Sequence, residues 1–223
     1  MSERIQVWDV PTRVFHWSMV LSFCGVFLTS ESERYRDIHV MLGYTLLGLI
    51  VFRVLWGFVG TRYARFASFL FTSGEVLTYV SAMIKGRAER YVGHNPAGSV
   101  AIWLLLFLTI GAGASGVLLF QDIGGDMMEE LHEVLSFAML AVVAVHIVGV
   151  VVSSILHREN LVRAMITGTK EADPEAGEER SYAWLGVIML LAVVTFWAGY
   201  SALSAMAPAE VAGHAEQHDD DDD

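Results

Sequence analysis

Five long apolar runs, nearly free of charge, constrain this chain more than any other feature: Val14 to Thr29, Ile38 to Val59, Ser99 to Phe120, Leu131 to Leu156 and Tyr182 to Ala205. Crossing about 30 Å of hydrocarbon takes roughly 20 apolar residues as a helix, so each run is a candidate span. The first is short, but Pro11 suits a first helical turn, and Trp8, Phe15 and Trp17 suit an interface, so that span is expected to begin near residue 11. With 54% of its 223 residues hydrophobic, the chain carries more apolar surface than one soluble core needs and falls in the membrane class. The fold expected is all-α, with spans at about 11–30, 38–59, 98–120, 128–157 and 182–206.

The first span is expected to stay in the mature protein, because it carries His16 and Trp17 and lacks a small-x-small cleavage site. Cys24 stands alone, which excludes a disulfide framework, a cysteine-rich metal site and covalent attachment of haem through C-x-x-C-H. Orientation follows the loop cations. Arg4, Arg13, Arg62, Arg65, Lys85, Arg87, Arg90, Arg158, Arg163, Lys170 and Arg180 fall on one side, and Arg34 and Arg36 on the other. The N-terminus is therefore expected in the cytoplasm and the C-terminus outside. The net charge of −11 belongs mostly to the outer face, in Glu31, Glu33, Asp37, the 122–133 region and the terminal Asp run. An acidic outer face argues against nucleic acid and for basic protein partners beside the membrane lipid.

Between the second and third spans, Val76, Leu77, Tyr79, Val80, Met83 and Ile84 recur at helical spacing after a Thr72-x-x-Glu75 capping box. This predicts an amphipathic helix at about 74–85 on the cytoplasmic membrane surface. Asp122 to Asp126, with Gly124 and Gly125, predicts a tight outer turn. The organisation expected is a four-helix bundle over 1–170, a cytoplasmic linker over 171–181, a fifth membrane helix over 182–206 and an acidic, disordered tail over 207–223.

Ionisable residues inside a membrane span are costly and mark sites. His132 and His146 share the fourth span, 14 residues apart. That separation is roughly 21 Å along a helix and nearly four turns, so they share a face at two depths. His16 lies near the inner end of the first span and His39 near the outer end of the second, giving two depth-matched pairs: His16 with His146, and His39 with His132. Paired neutral imidazoles from facing helices are what a six-coordinate haem iron requires, and six-coordination leaves no open position for oxygen chemistry. Zinc wants four ligands at one point, whereas these four are split between two depths. Arg53 follows His39 by 14 residues and reaches the inner level on the same face, where a cation can pair with a haem propionate; the alternative is snorkelling to headgroups. Gly43 and Gly149 suit either close approach of a flat macrocycle or helix packing.

The motifs Arg13-x-Phe15-His16-Trp17, Asp37-Ile38-His39-x-x-Leu42-Gly43-Tyr44 and Arg53-x-x-Trp56-Gly57-x-x-Gly60-x-x-x-Ala64-Arg65-Phe66 occur in that order. Gly93-His94-Asn95-Pro96-x-Gly98, Leu131-His132-Glu133, His146 and His157-Arg158-Glu159-Asn160-Leu161 follow them. Together, over about residues 5–170, they resemble the bacterial cytochrome b561 and nickel-iron hydrogenase b-type cytochrome family. The resemblance implies a four-helix bundle with two non-covalent haems b, the same ligand pairing, and electron exchange between the quinone pool and a redox partner. The fifth span and the tail lie outside it.

His94, on the cytoplasmic side, suits a propionate or quinone contact or simply a turn before Pro96. His157 is an alternative inner ligand or an interface histidine at a helix C-terminus, and His214 and His218 suit weak metal binding or a solvated tail. Glu133 either tunes the outer site or faces water. The function expected is transmembrane electron transfer between quinone and a periplasmic c-type cytochrome or other haem protein, with a periplasmic hydrogenase as the alternative partner. A histidine-lined transporter or proton conductor is the rival of a different class, and a membrane anchor with structural haems is the third reading.

Overall fold

A computed structural model describes residues 3–206. The acidic tail, with His214 and His218, lies outside these residues. The chain forms seven α-helices among them: α1 Val10–Thr29, α2 Arg36–Val59, α3 Ser73–Ile84, α4 Pro96–Phe120, α5 Gly125–Leu156, α6 Leu161–Thr167 and α7 Ala183–Met206. Four segments are long and apolar enough to cross a membrane: Glu33–Val59, Pro96–Phe120, Gly125–Leu156 and Ala183–Ser204. Five were expected, and the difference is α1. Its 20 residues match the length, but Arg13 and His16 in its first two turns dilute its apolar character.

Local chemistry sets the helix boundaries. Asp9 caps α1 by accepting from the Thr12 amide at 2.7 Å, just ahead of Pro11. Asn95 caps α4 in the same way through Gly98, again next to a proline. The capping box of α3 forms as expected, with Thr72 and Glu75 each bonding the other's backbone. The outer turn needs left-handed backbone at Asp122, Gly124 and Gly125, with φ of 56°, 91° and 50°, which glycine adopts without steric cost. It folds α5 back along α4, and these two helices form the most extensive packing in the molecule.

The remaining helices pack α1 against α2 and α7, and α2 against α4. One core cluster joins Val26, Met41, Leu42 and Leu46 to Trp197 and Tyr200 of α7; a second joins Ile50 and Leu106 to Phe66 and Phe69 of the loop after α2. The Trp197 indole donates to Thr45 Oγ1 at 2.9 Å, so α7 is fastened to α2 by a polar bond as well as by packing. By contrast α2 and α5, which carry His39 and His132, make little direct contact. Much of the surface of α5 is exposed apolar side chains, including Val145, Ile147 and Val148, as a lipid-facing helix requires.

The segment expected as a linker is partly structured and docked. Strand β2, Thr169–Ala172, pairs antiparallel with β1, Glu3–Gln6, in register Glu3 to Ala172 through Gln6 to Thr169. The amides of Val7 and Trp8 both donate to Gly168 O, Glu178 N donates to Gln6 O, and Tyr63 Oη donates to Ala176 O at 2.8 Å. Ile5, Val7, Trp8 and Tyr63 form a third apolar cluster beneath the start of α1, and Trp17 Nε1 reaches Met165 O of α6 at 3.3 Å.

Asp9 joins these parts. It is fully buried, and beyond its cap it accepts from Trp56 Nε1 at 2.9 Å and Thr61 Oγ1 at 2.7 Å, linking the start of α1 to the end of α2. Asp9→Ala leaves an indole N–H, a hydroxyl and a helix amide without their acceptor. The expected cost is about 2–4 kcal/mol, read as a fall in the thermal unfolding midpoint of the detergent-solubilised protein. Asp9→Asn is expected to lose much of the same stability, because an amide nitrogen cannot accept from Trp56 and Thr61.

Candidate functional site

The gap between α2 and α5 is a cavity of about 710 Å³, walled by α1, α2, α4 and α5, with His39 and His132 among its lining residues. Their ring centres stand 6.3 Å apart with the planes at 74°. Two imidazoles sharing one metal, each bonded at about 2.0 Å, hold their ring centres roughly 6 Å apart, so the pair fits a common iron. His39 Nδ1 lies 2.9 Å from Val26 O on α1, and His132 Nδ1 lies 2.8 Å from Ala112 O on α4. A carbonyl only accepts, so each Nδ1 carries the proton and each Nε2 keeps its lone pair for a metal. Both rings are fixed by helices other than those that carry them.

Two glycines shape this site. A Cβ at Gly116 would stand 2.9 Å from His132 Cε1, so that position must be glycine for the ring to reach Ala112 O. Gly43 lines the cavity with nothing within 4 Å of where its Cβ would stand, which leaves a flat wall beside His39. Arg36 and Glu133 also line the cavity. Arg36 had been counted only as a loop charge, although it precedes His39 by one helical turn and so shares its face. The i, i+3 spacing was the available signal.

The deeper set contains His16, His146, Arg53 and His94, which share one neighbourhood. His16 Nδ1, Arg53 Nη1 and His94 Nδ1 are all shielded from solvent without a hydrogen-bond partner. The Arg53 cation beside the His94 ring suits a group that carries a carboxylate. Arg53 is 7% exposed and turns inward, its guanidinium 4.9 Å from the Phe66 ring centre and 5.6 Å from that of Phe69. The neighbouring carboxylate, Asp9, is already committed to Thr12, Trp56 and Thr61. His94 sits between Trp8 and Phe69, with ring centres 4.7 Å from each. Burial, followed by the Arg53 and Lys170 cations, holds its imidazole well below the ordinary histidine range, so it is neutral at pH 7.

The structure places His39 and His132 face to face across the cavity, and His16, His146, Arg53 and His94 in the same neighbourhood. Among the described residues, no three His, Cys, Asp or Glu side chains gather around one point. Gly149 has open space where its Cβ would stand. His157 caps the end of α5 and lines a separate polar pocket. Asp9 and Lys170, both buried, were not anticipated as structural residues. Asp9-x-x-Thr12 beside Pro11 carried a cap signal, whereas nothing local to Lys170 announces its burial.

Comparison with known proteins identifies the family. The family model for prokaryotic cytochrome b561 matches residues 7–168. A probable Ni/Fe-hydrogenase B-type cytochrome subunit of Rhizobium leguminosarum bv. viciae is 26% identical, over 75% of this chain and 89% of its own length. Proteins of the same name from Rhodobacter capsulatus and Azotobacter vinelandii are each 24% identical, over 74% of this chain and 80% and 87% of their own lengths. No solved structure matches. A match across most of the chain, on a helical bundle with four membrane-length apolar segments, makes this a multi-pass membrane protein that belongs to the prokaryotic cytochrome b561 family, whose b-type cytochromes use haem for electron transport.

Proposed function

We propose that this protein carries electrons across a bacterial inner membrane between the quinone pool and a periplasmic nickel-iron hydrogenase, using two haems b held by His39 with His132 and by His16 with His146. The observation that carries the reading is the outer pair: two rings 6.3 Å apart across a cavity, each with Nδ1 engaged by a backbone carbonyl. Haem supplies reversible one-electron chemistry when bound. The chain's own residues do the rest. The histidines would hold the haem irons, Arg36 and Arg53 would offer cations to the propionates, and His94 would offer a neutral ring to a propionate or a quinone carbonyl beside the inner pair.

In this reading α1 is the fifth crossing, since 20 residues span roughly 30 Å, and α3 lies along the cytoplasmic surface. The N-terminus is cytoplasmic and the C-terminus periplasmic. A hydrogenase is favoured as partner over a c-type cytochrome because the relatives carry the name of hydrogenase cytochrome subunits. A proton conductor is disfavoured because, among the described residues, buried hydroxyls of the bundle are tied to their own helices. The buried hydroxyls of Thr45, Thr109 and Ser115 bond back to carbonyls of their own helices, at Met41, Leu105 and Gly111.

Reduced-minus-oxidised absorption spectra of the purified protein, with haem counted per chain, test this directly. Two b haems are expected, with His16→Ala and His39→Ala each removing a different one; loss of the same haem in both variants contradicts the pairing. Gly116→Leu is expected to remove the haem lost in His39→Ala and to retain the other, because the new side chain drives His132 from its carbonyl. An unchanged haem content in Gly116→Leu contradicts that account of the outer ligand. For the partner, hydrogen should reduce both haems in membranes containing the hydrogenase; reduction by a c-type cytochrome alone favours the other reading.

A further inference from the structure

A second pocket, of about 290 Å³, opens where α5 ends, among β1, the loop before α4, the α5–α6 junction and β2. Five cations line it: Arg4, Arg90, Arg158, Arg163 and Lys170. Only two carboxylates do, Glu159 and Glu171. Glu159 is spent on two of the cations, at 3.2 Å from Arg90 Nε and 3.4 Å from Lys170 Nζ. The Lys170 side chain is 3% exposed and its ammonium is further held by Tyr91 O and Val92 O, while Arg90 Nη2 donates to Glu171 O. These groups form a built, internally bonded wall. Among the described residues, Arg4, Arg158 and Arg163 have no carboxylate within 4.0 Å.

Arg158 takes its left-handed φ of 51° as the residue after the α5 C-cap, where Glu159 N donates to Ser154 O at 3.0 Å and closes the helix, and its side chain lines the pocket. His157, also on the lining, has its Nε2 shielded from solvent with no partner. Gathering free guanidinium groups around one space costs Coulomb energy that an anion reverses, and guanidinium forks match phosphate oxygens in geometry.

The surroundings identify the anion's carrier. At the same junction Ile155 on the last turn of α5, and Val162 and Ile166 one turn apart on α6, are 73%, 49% and 56% exposed. A basic pocket directly beside exposed apolar side chains, at the end of an apolar helix, is matched by a molecule with a phosphate head and hydrocarbon tails. We propose that this pocket binds the phosphate of an anionic phospholipid, whose acyl chains lie along Ile155, Val162 and Ile166. Through Arg4 and Arg163 the lipid joins the N-terminal strand to α6. The proposal needs the chain to be in a membrane and does not depend on haem or on the redox partner.

Native mass spectrometry of the full-length protein, released from bilayers of phosphatidylcholine mixed with phosphatidylglycerol, tests it. Phosphatidylglycerol is expected to be retained preferentially, and retention should fall by about ten-fold for each arginine removed in Arg158→Gln and Arg163→Gln. Arg158→Gly separates a ligand role from a structural one. Relief of the left-handed strain should raise the unfolding midpoint in lipid-free detergent while lipid retention falls. Equal retention of phosphatidylcholine, or undiminished phosphatidylglycerol retention in the double glutamine variant with its helix content intact, overturns the proposal. Stabilisation by inorganic phosphate as large as that by phosphatidylglycerol assigns the pocket to a free phosphate and overturns the lipid.

Discussion

An imidazole inside an apolar bundle has two nitrogens to satisfy and no water with which to do it. In the outer pair one nitrogen of each ring is satisfied by a carbonyl on a neighbouring helix, and the other is left to face the space between α2 and α5. Much of the architecture serves that arrangement. α1 supplies Val26 O to His39 and α4 supplies Ala112 O to His132, so the packing of α1 on α2 and of α4 on α5 sets the ring orientations. The tight turn through Gly124 brings α5 back along α4, and Gly116 gives the ring room to reach its carbonyl.

The inner set rests on different physics. Its unpaired atoms, His16 Nδ1, Arg53 Nη1 and His94 Nδ1, lie over a floor of aromatic rings and a docked N-terminal segment. Asp9, Trp56 and Thr61 lock the start of α1 to the end of α2, and the β1–β2 pair with its apolar cluster closes the bundle from below. Arg53 is thereby held away from solvent with a guanidinium nitrogen unmet, a costly arrangement unless a ligand completes it. The two loci are thus asymmetric: one is an open cavity whose rings are oriented by carbonyls, and the other is a cluster of buried polar groups over aromatic rings.

Much of this was legible in the sequence because it followed from periodicity. The 14-residue spacings of His132 with His146 and of His39 with Arg53 fix depth and face on any α-helix, and the capping box at Thr72 and Glu75 fixes the start of α3. What was not legible depends on contacts between distant segments. The strand Thr169–Ala172 has no apolar alternation and forms only because Glu3–Gln6 lies beside it. The burial of Lys170 depends on the Tyr91 and Val92 carbonyls, about 80 residues away. Arg36 and Asp9 were visible as residues, but their surroundings were not. The docking of α7 through Trp197 and Thr45 likewise gives a place to a helix that the sequence motifs left without one.

In the proposed electron-transfer role, each haem iron is held by two histidines. Low-temperature electron paramagnetic resonance of the oxidised protein reads ligation directly, since an iron with strong nitrogen ligands on both faces is low-spin and one with an open face is high-spin. Two low-spin ferric signals, each lost separately on substituting a member of its pair, are expected. A stoichiometric high-spin signal from either haem in the unmodified protein would contradict the account.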